Sequence, residues 1–421
     1  MMRSVRSMEK VKTDEKHAVD AIKQQSYSIR QPAAISRGLA LLIAMACGMA
    51  VANVYYAHPL LDTIANEFDI ELSSVGIVIT VTQGFYALGL LLLVPLGDLM
   101  NRRWLIPGQM FLSVIALVTI ALAPGIGVLF SGLAVMGLLA VVTQTLVAYA
   151  ATLAAPSDRG RIIGLVTSGI VIGILLARFT AGVLTDLAGW RSVYLFSAVC
   201  LLVLSLTLLR FLPHEQRKVS LTYIQLLQSV FVLYREERIL RVRSLFGFLI
   251  FTAFSVFWTS LVLPLSTPPL SLSHSVIGAF GLVGVAGALG AVRAGLLADR
   301  GLGQQTTGIA IVLLMVSWLP ISYTKQSLVA LIAGIILLDL AVQAIHVTNQ
   351  SIIMRIRPEA RSRLTAAYMI FYSMGSAFGS IASTNLYAYA GWTAVCWFGA
   401  GVSTITLLLW VFTNRPFELD S

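Results

Sequence analysis

Ala188-Gly189-Trp190-Arg191-Ser192-Val193 returns 202 positions later as Ala390-Gly391-Trp392-Thr393-Ala394-Val395. Outward from that Gly-Trp turn the likeness runs without a gap through 156–198 and 358–400. It pairs Pro156 with Pro358, Arg159 with Arg361, Arg161 with Arg363, Gly173 with Gly375, Leu184 with Leu386 and Phe196 with Phe398. Shared hydrophobicity does not explain paired arginines or a repeated turn, so the chain is two copies of one unit. An even number of apolar runs separates equivalent positions. The copies are therefore parallel repeats, one known plan of secondary transporters.

Each copy is apolar beyond what a soluble domain carries. Of 421 residues 57% are hydrophobic and 11% charged, against roughly 45–50% and about 25% in soluble domains. The charges fall in short clusters between runs near 38–60, 75–97, 104–122, 126–152, 162–184, 191–212, 244–265, 276–298, 306–323, 327–350, 364–388 and 392–412. Runs of about 20 residues suit a helix crossing a bilayer and are too long for barrel strands. In lipid every backbone polar group must be bonded internally, so twelve transmembrane helices are expected. The fold class is an all-α polytopic membrane protein.

The longest polar interruption, 213–243, separates six runs from six. This predicts an N-terminal bundle over 37–212, a linker over 213–243, a C-terminal bundle over 244–413 and tails at 1–36 and 414–421. The stretch to Arg37 carries eight Lys/Arg and four Asp/Glu with no apolar core. It reads as a solvated tail, neither a cleaved signal nor a span, with Met8 an alternative start. Basic residues near the span ends set orientation. With the first span starting inside, 26 of the 29 Lys/Arg fall on the cytoplasmic side, only Arg191 and Lys325 fall outside, and Arg178 lies within a span. Both termini are expected to be cytoplasmic. The net charge of +10 is thus a membrane-face asymmetry, and nucleic acid is not an expected partner. Cys47, Cys200 and Cys396 all lie in apolar runs, which leaves no disulfide framework and no CxxC pair.

Gly97-Asp98-Leu99-Met100-Asn101-Arg102-Arg103, after the second span, resembles the loop signature of the major facilitator superfamily. Leu99 and Asn101 replace the signature's first Arg and its Gly, and Val94 stands where its leading Gly would be. The second copy keeps the other part as Gly295-Leu296-Leu297-Ala298-Asp299-Arg300-Gly301, with Gln304 and Gln305 in place of the trailing basic pair. Asn53-Val54-Tyr55-Tyr56-Ala57-His58-Pro59 and Gly173-Ile174-Leu175-Leu176-Ala177-Arg178 further resemble efflux permeases of the arabinose-efflux type, although Arg178 stands where related antiporters carry Pro. The resemblance covers about 38–413. It implies a bacterial inner-membrane transporter, monomeric, whose first, fourth, seventh and tenth helices line a central cavity.

The loop acids have a physical role open to them. An Asp at a helix end accepts hydrogen bonds from Arg and from free N–H groups at a neighbouring helix N-terminus. Asp98 and Asp299, with Arg102, Arg103 and Arg300, are candidates for a latch closing the cytoplasmic side; the alternative is that they are solvated loop charges.

Within the spans, Arg178 is the basic residue that stands in mid-stretch, and it should face protein or water. Small residues at Gly169, Gly173, Ala177 and Ala181 make a close-packing face around it. Two readings stand: Arg178 pairs with Asp62 or a carbonyl to join helices, or it serves substrate or proton coupling. The tenth span carries Asp339, Gln343, His346 and Gln350 on one helical face. Counting about 1.5 Å per residue puts Asp339 close to the midplane and His346 about 10 Å further in. An imidazole titrates near neutrality, so this pair is a candidate for proton exchange; a static polar network is the alternative. Gln144 is the repeat equivalent of His346. Asn53 and Tyr56 on the first span, Phe254 and Trp258 on the seventh, Gln144 and Gln343 are the candidate substrate-cavity residues. Many aromatics with few fixed charges suit amphipathic or weakly polar substrates.

No P-loop, GxSxG, HExxH or paired-carboxylate motif is present in the sequence, so neither ATP-driven transport nor catalysis has a motif, and no metal or cofactor is expected. The reading is a proton-coupled exporter of small amphipathic compounds or sugars. The alternatives are a proton-coupled importer of sugars or carboxylates and a non-transporting membrane sensor.

Overall fold

A computed structural model describes residues 35–155, 158–213, 222–357 and 360–413. Twelve spanning helices follow the apolar runs. The first six are α1 (Arg37–Tyr55), α2 (Ile77–Leu92), α3 (Arg102–Ala121), α4 (Ile126–Leu153, broken after Leu139), α5 (Arg159–Ala188) and α6 (Trp190–Phe211). The second six are α7 (Arg238–Ser260, continued by Val262–Ser266), α8 (His274–Val283, continued by Val285–Asp299), α9 (Gly303–Ser322), α10 (Leu328–Ile353), and α11 and α12 (361–390 and 392–413). No strand occurs among the described residues.

Local chemistry sets the helix ends. Ser36, Ser273 and Ser327 cap α1, α8 and α10 by accepting a backbone N–H from three residues on. The repeated Gly-Trp turn appears as Gly189 at φ 79° and Gly391 at φ 71°. Both lie in the left-handed region, where a side chain would be strained and glycine is not. Each turn lets one helix leave directly into the next.

The repeat persists in the packing. In the first half α1 packs on α5, α3 on α6 and α2 on α4; in the second half α7 packs on α11, α9 on α12 and α8 on α10. The halves meet along two seams, α5 against α8 and α2 against α11. Apolar side chains left exposed fall in stripes on outward faces, such as Val199, Val203 and Leu206 on α6 and Ile309, Val312 and Val316 on α9. These are the surfaces a hydrocarbon solvent accepts without cost.

The polar interruption between the halves contains structure of its own. Thr222 and Gln225 form a reciprocal capping box that starts a helix over Tyr223–Glu236. Its Tyr223 hydroxyl donates to the Leu92 carbonyl, and Tyr234 stacks on Phe371. Arg357 ties it to the α10–α11 loop through Glu236 and Glu237. α7 begins at Arg238, ahead of its apolar run, because a helix continues into the polar interface where Arg238 and Arg241 stay exposed. The face bearing this helix is termed the linker face and the opposite one the far face.

Candidate functional site

A track of glycines on α8 brings one charge from each half together. A three-residue spacing drifts about 60° around a helix per step, so Gly278 and Gly281 face α5 while Gly284 and Gly287 face α10. A Cβ at Gly278 would overlap the Arg178 carbonyl, and one at Gly281 would strike its side chain. A Cβ at Gly284 would meet the Asp339 carboxylate and one at Gly287 its backbone. Arg178 and Asp339 therefore lie to either side of the same helix, across the seam between the halves.

The Arg178 side chain is 3% exposed. Its guanidinium carbon lies 3.8 Å from the centroid of Trp258, 5.2 Å from Tyr55 and 5.5 Å from Phe254. Aromatic faces attract a cation, yet they leave its N–H groups without acceptors, and Arg178 Nε and Nη2 are buried with no hydrogen-bond partner. Asp339, also buried, accepts from Trp258 Nε1 at 3.2 Å. Among the described residues no carboxylate is within ion-pair distance of Arg178, although the Asp339 and Arg178 charges act on one another through the low-dielectric interior.

Toward the linker face an aromatic layer closes over this pair. Tyr55 from α1 and Tyr372 from α11 share a hydrogen bond at 2.7 Å across the halves. Phe251 packs on Tyr372 with ring centroids 3.6 Å apart. Below it His346 lies 3.0 Å from the Tyr368 hydroxyl and 3.3 Å from Gln350 Nε2, and Gln343 and Gln144 are half-buried. Arg243, buried near the start of α7, donates to Asn349 and Gln304.

Toward the far face the space beyond Arg178 narrows to about 10 Å³, lined by His58, Pro59, Trp258, Leu261, Val262 and Ile277. Past it, the halves are clasped. His274, the first residue of α8, lies 3.1 Å from Asp62 and 3.3 Å from Asp186. Asp186 at the end of α5 also accepts the backbone N–H groups of His274 and Ser275. A carboxylate is favoured at a helix N-terminus, where those donors are otherwise unpaired and the dipole is positive.

The structure brings together Arg178, Asp339, Phe254 and Trp258 among the expected site residues. Asn53 and Tyr56 are corrected: Asn53 accepts from Ser197 of α6 at 2.6 Å, and Tyr56 packs edge-on against Tyr194. Successive residues turn 100° around a helix, so Tyr55 faces the centre while Asn53 and Tyr56 share the side turned to α6. The Arg178–Asp62 pairing is also corrected. Asp62 sits beyond the Pro59 turn and engages His274, whereas Arg178 lies more than two turns below the end of α5. Asp339 and His346 share a face but not a contact, with Phe251 and Tyr372 beside His346. The side chains of Asp98 and Asp299 lie outside the described residues. Arg102 is buried and donates to the Gly97 carbonyl at 2.6 Å and toward Thr152 at 3.4 Å; Arg103 packs beside Trp104 and Arg300 is exposed.

Sequence reasoning missed Tyr372, Tyr368, His58 and the His274 clasp. A polar residue beginning a span, as His274 does, was the available signal for the last.

Comparison with known proteins agrees with this architecture. The family model described as Major Facilitator Superfamily matches residues 40–307 and 244–420. The Escherichia coli O157:H7 uncharacterized transporter YgaY is 46% identical over 376 residues, covering 89% of this chain and 95% of that protein. A Streptomyces coelicolor protein named as a transporter, SCO4007, is 32% identical over 362 residues, 84% of this chain and 83% of that one. A bacterial homologue of the human lysosomal transporter Spinster, in an inward-facing and occupied conformation, superposes with a TM-score of 0.69 at 14% identity, covering 89% of this chain and 94% of that one.

Proposed function

Because the chain belongs to the major facilitator superfamily, as a multi-pass membrane transporter and not an enzyme, we propose that it moves small amphipathic molecules by proton-coupled alternating access with Asp339 carrying the proton. The observation that supports this is the burial of Asp339 at the seam, with Trp258 Nε1 as hydrogen-bond donor and Arg178 across the α8 glycine track. A buried carboxylate between two mobile halves changes its surroundings whenever the halves rock, and a proton is then taken up on one side and released on the other.

The ratio of 26 to 2 basic residues supports an inner-membrane protein with both termini and the linker face cytoplasmic. On that orientation the His274 clasp closes the outer side, and the cytoplasmic loops with Asp98, Arg102, Arg103, Asp299 and Arg300 form the opposing latch once the site turns outward. The burial of Arg102 against Gly97 and Thr152 supports a structural part for that loop. His346, between Tyr368 and Gln350, belongs to the cytoplasmic approach to the site.

Direction depends on how substrate and proton interact. Export of amphipathic compounds or sugars against an inward proton gradient requires that substrate binding expel the proton; import requires that the two load together. In proteoliposomes with an imposed pH gradient, the wild type accumulates substrate and Asp339→Asn does not, while Asp339→Asn retains substrate exchange at equal pH on both sides. Gradient-driven accumulation by Asp339→Asn at the wild-type level would remove Asp339 from the coupling.

A further inference from the structure

The geometry points to Arg178 as the anchor for the carboxylate of a singly charged, amphipathic substrate. A buried guanidinium whose Nε and Nη2 lack any acceptor is incompletely compensated: three aromatic faces offset its charge but accept none of its N–H bonds. The acids nearest in the fold are otherwise engaged. Asp62 and Asp186 are held by His274 at the far face, and Asp339 accepts from Trp258 on the other side of the glycine track. What is missing is a planar anion that takes two parallel N–H bonds, the geometry in which Arg binds a carboxylate.

Size and charge narrow the class. The space beyond Arg178 toward the far face is only about 10 Å³, roughly one small probe sphere, so neither a tetrahedral phosphate nor a substrate body has room on that side. A second arginine or lysine that a doubly charged anion would need is absent from the described lining: around Arg178 stand Tyr55, Phe254, Trp258 and His58. The far face is clasped, so the body of the substrate extends toward the linker face, between Phe254 and the Tyr55–Tyr372 pair, whose hydroxyls part to admit it. Aromatic walls there favour an apolar, preferably planar, body.

A sign for the coupling follows, and it rests on the reading of Asp339 as proton carrier. An anion brought to Arg178 stands beside a second negative charge if Asp339 is ionised, so anion binding favours protonated Asp339. The titratable and charged groups facing the pair are Tyr55 and His58 from the α1 segment, Arg178 itself from α5 and Tyr372 from α11. None of them supplies a competing carboxylate. Substrate and proton therefore load together, one proton per monoanion, and transport is electroneutral.

The test uses purified full-length protein and a panel of aryl and alkyl monocarboxylates, each with its neutral amide and its amine analogue. Ligand binding is read as thermal stabilisation in detergent. The expected result is protection by carboxylates at concentrations at least tenfold below those their amides require, loss of that preference in Arg178→Gln and partial recovery in Arg178→Lys. The wild-type panel alone decides the class, so a variant that fails to fold leaves the test intact. Protection by amides or amines as readily as by carboxylates, or by no carboxylate at all, overturns the inference. Carboxylate binding should tighten as pH falls in the wild type and become independent of pH in Asp339→Asn. If the carboxylate preference holds and the pH dependence survives Asp339→Asn, Arg178 stands as the anchor and Asp339 falls as the proton carrier. Uptake unchanged by a potassium-valinomycin potential is expected of electroneutral symport, and strong potential dependence overturns the one-to-one loading.

Discussion

The two seams that join the halves are built alike and charged differently. At α5/α8, Gly278 lies against the backbone of Arg178; 202 positions away at α2/α11, Gly76 lies against the backbone of Ser380. The close approach is common to both, but the side chains are not. The α2/α11 seam is lined by neutral hydroxyls: Ser380 is within 2.7 Å of Ser255 and 2.9 Å of Thr259, Thr384 donates to the Ser73 carbonyl, and Thr80 to the Ala377 carbonyl. The α5/α8 seam carries Arg178, Asp186 and His274, with Asp62 and Asp339 alongside. One seam is lined by hydroxyls, and its twin carries the charged groups that surround the centre. A duplicated fold supplies two equivalent surfaces, and on the proposed function only one of them responds to protons and ligand.

Making the seams alike should have the largest effect. Arg178→Ser gives α5 the residue found in α11, and substrate flux should fall at least about 100-fold, roughly 2.7 kcal/mol, while the melting temperature stays at or above that of wild type. Removing a buried charge without an ion partner is not expected to destabilise. Ser380→Ala should leave flux within about twofold and lower stability by about 1 kcal/mol through its lost hydroxyl bonds. A melting temperature well below wild type in Arg178→Ser, with flux retained, would mean that the charge serves packing and the contrast between seams is not functional.

Next in size is the shared packing. Gly278→Val and Gly76→Val each force a side chain into the facing backbone, and each should cost about 1–3 kcal/mol or more. Thermal melts should show comparable losses. A large loss at one seam alone would break the structural equivalence on which the comparison rests.

The smallest effects belong to the far ends. His274→Ala removes the clasp to Asp62 and Asp186; these groups are partly exposed, and about 1 kcal/mol is expected after solvent screening. The readout is conformational, because single cysteines placed on the far side should label faster as the halves part there. Thr384→Ala, which removes the hydroxyl contacts to Ser73 and Gly76 near the far end of the other seam, should cost about 0.5–1.5 kcal/mol and leave labelling unchanged. Equal labelling in the two variants would deny the charged seam its gating part.

Much of the centre was legible from composition because the penalty for burying charge in hydrocarbon is severe. An arginine and an aspartate that survive inside apolar runs stand out, and Arg178 and Asp339 do flank α8 from its two sides. Their partners were not legible. Asp62 was as plausible a mate for Arg178 as any acid near a span end, until the Pro59 turn placed it beside His274. Tyr55 and Tyr56 are neighbours in sequence with equal claims on the cavity, and only the rotation of α1 about its axis assigns one to the centre and the other to α6.

The sequence by itself determined the twelve helices, their division into two parallel repeats and the Gly-Trp turns, because hydrophobic length, backbone satisfaction in lipid and a positive φ are local requirements read residue by residue. Only the tertiary structure decided that the glycines of α8 let two charges from different halves flank one helix, and that the Arg178 guanidinium keeps N–H groups without an acceptor. Hydrogen-bond satisfaction at a helix crossing depends on the rotation and depth of every helix that meets there, and those are fixed by the packing of the whole bundle.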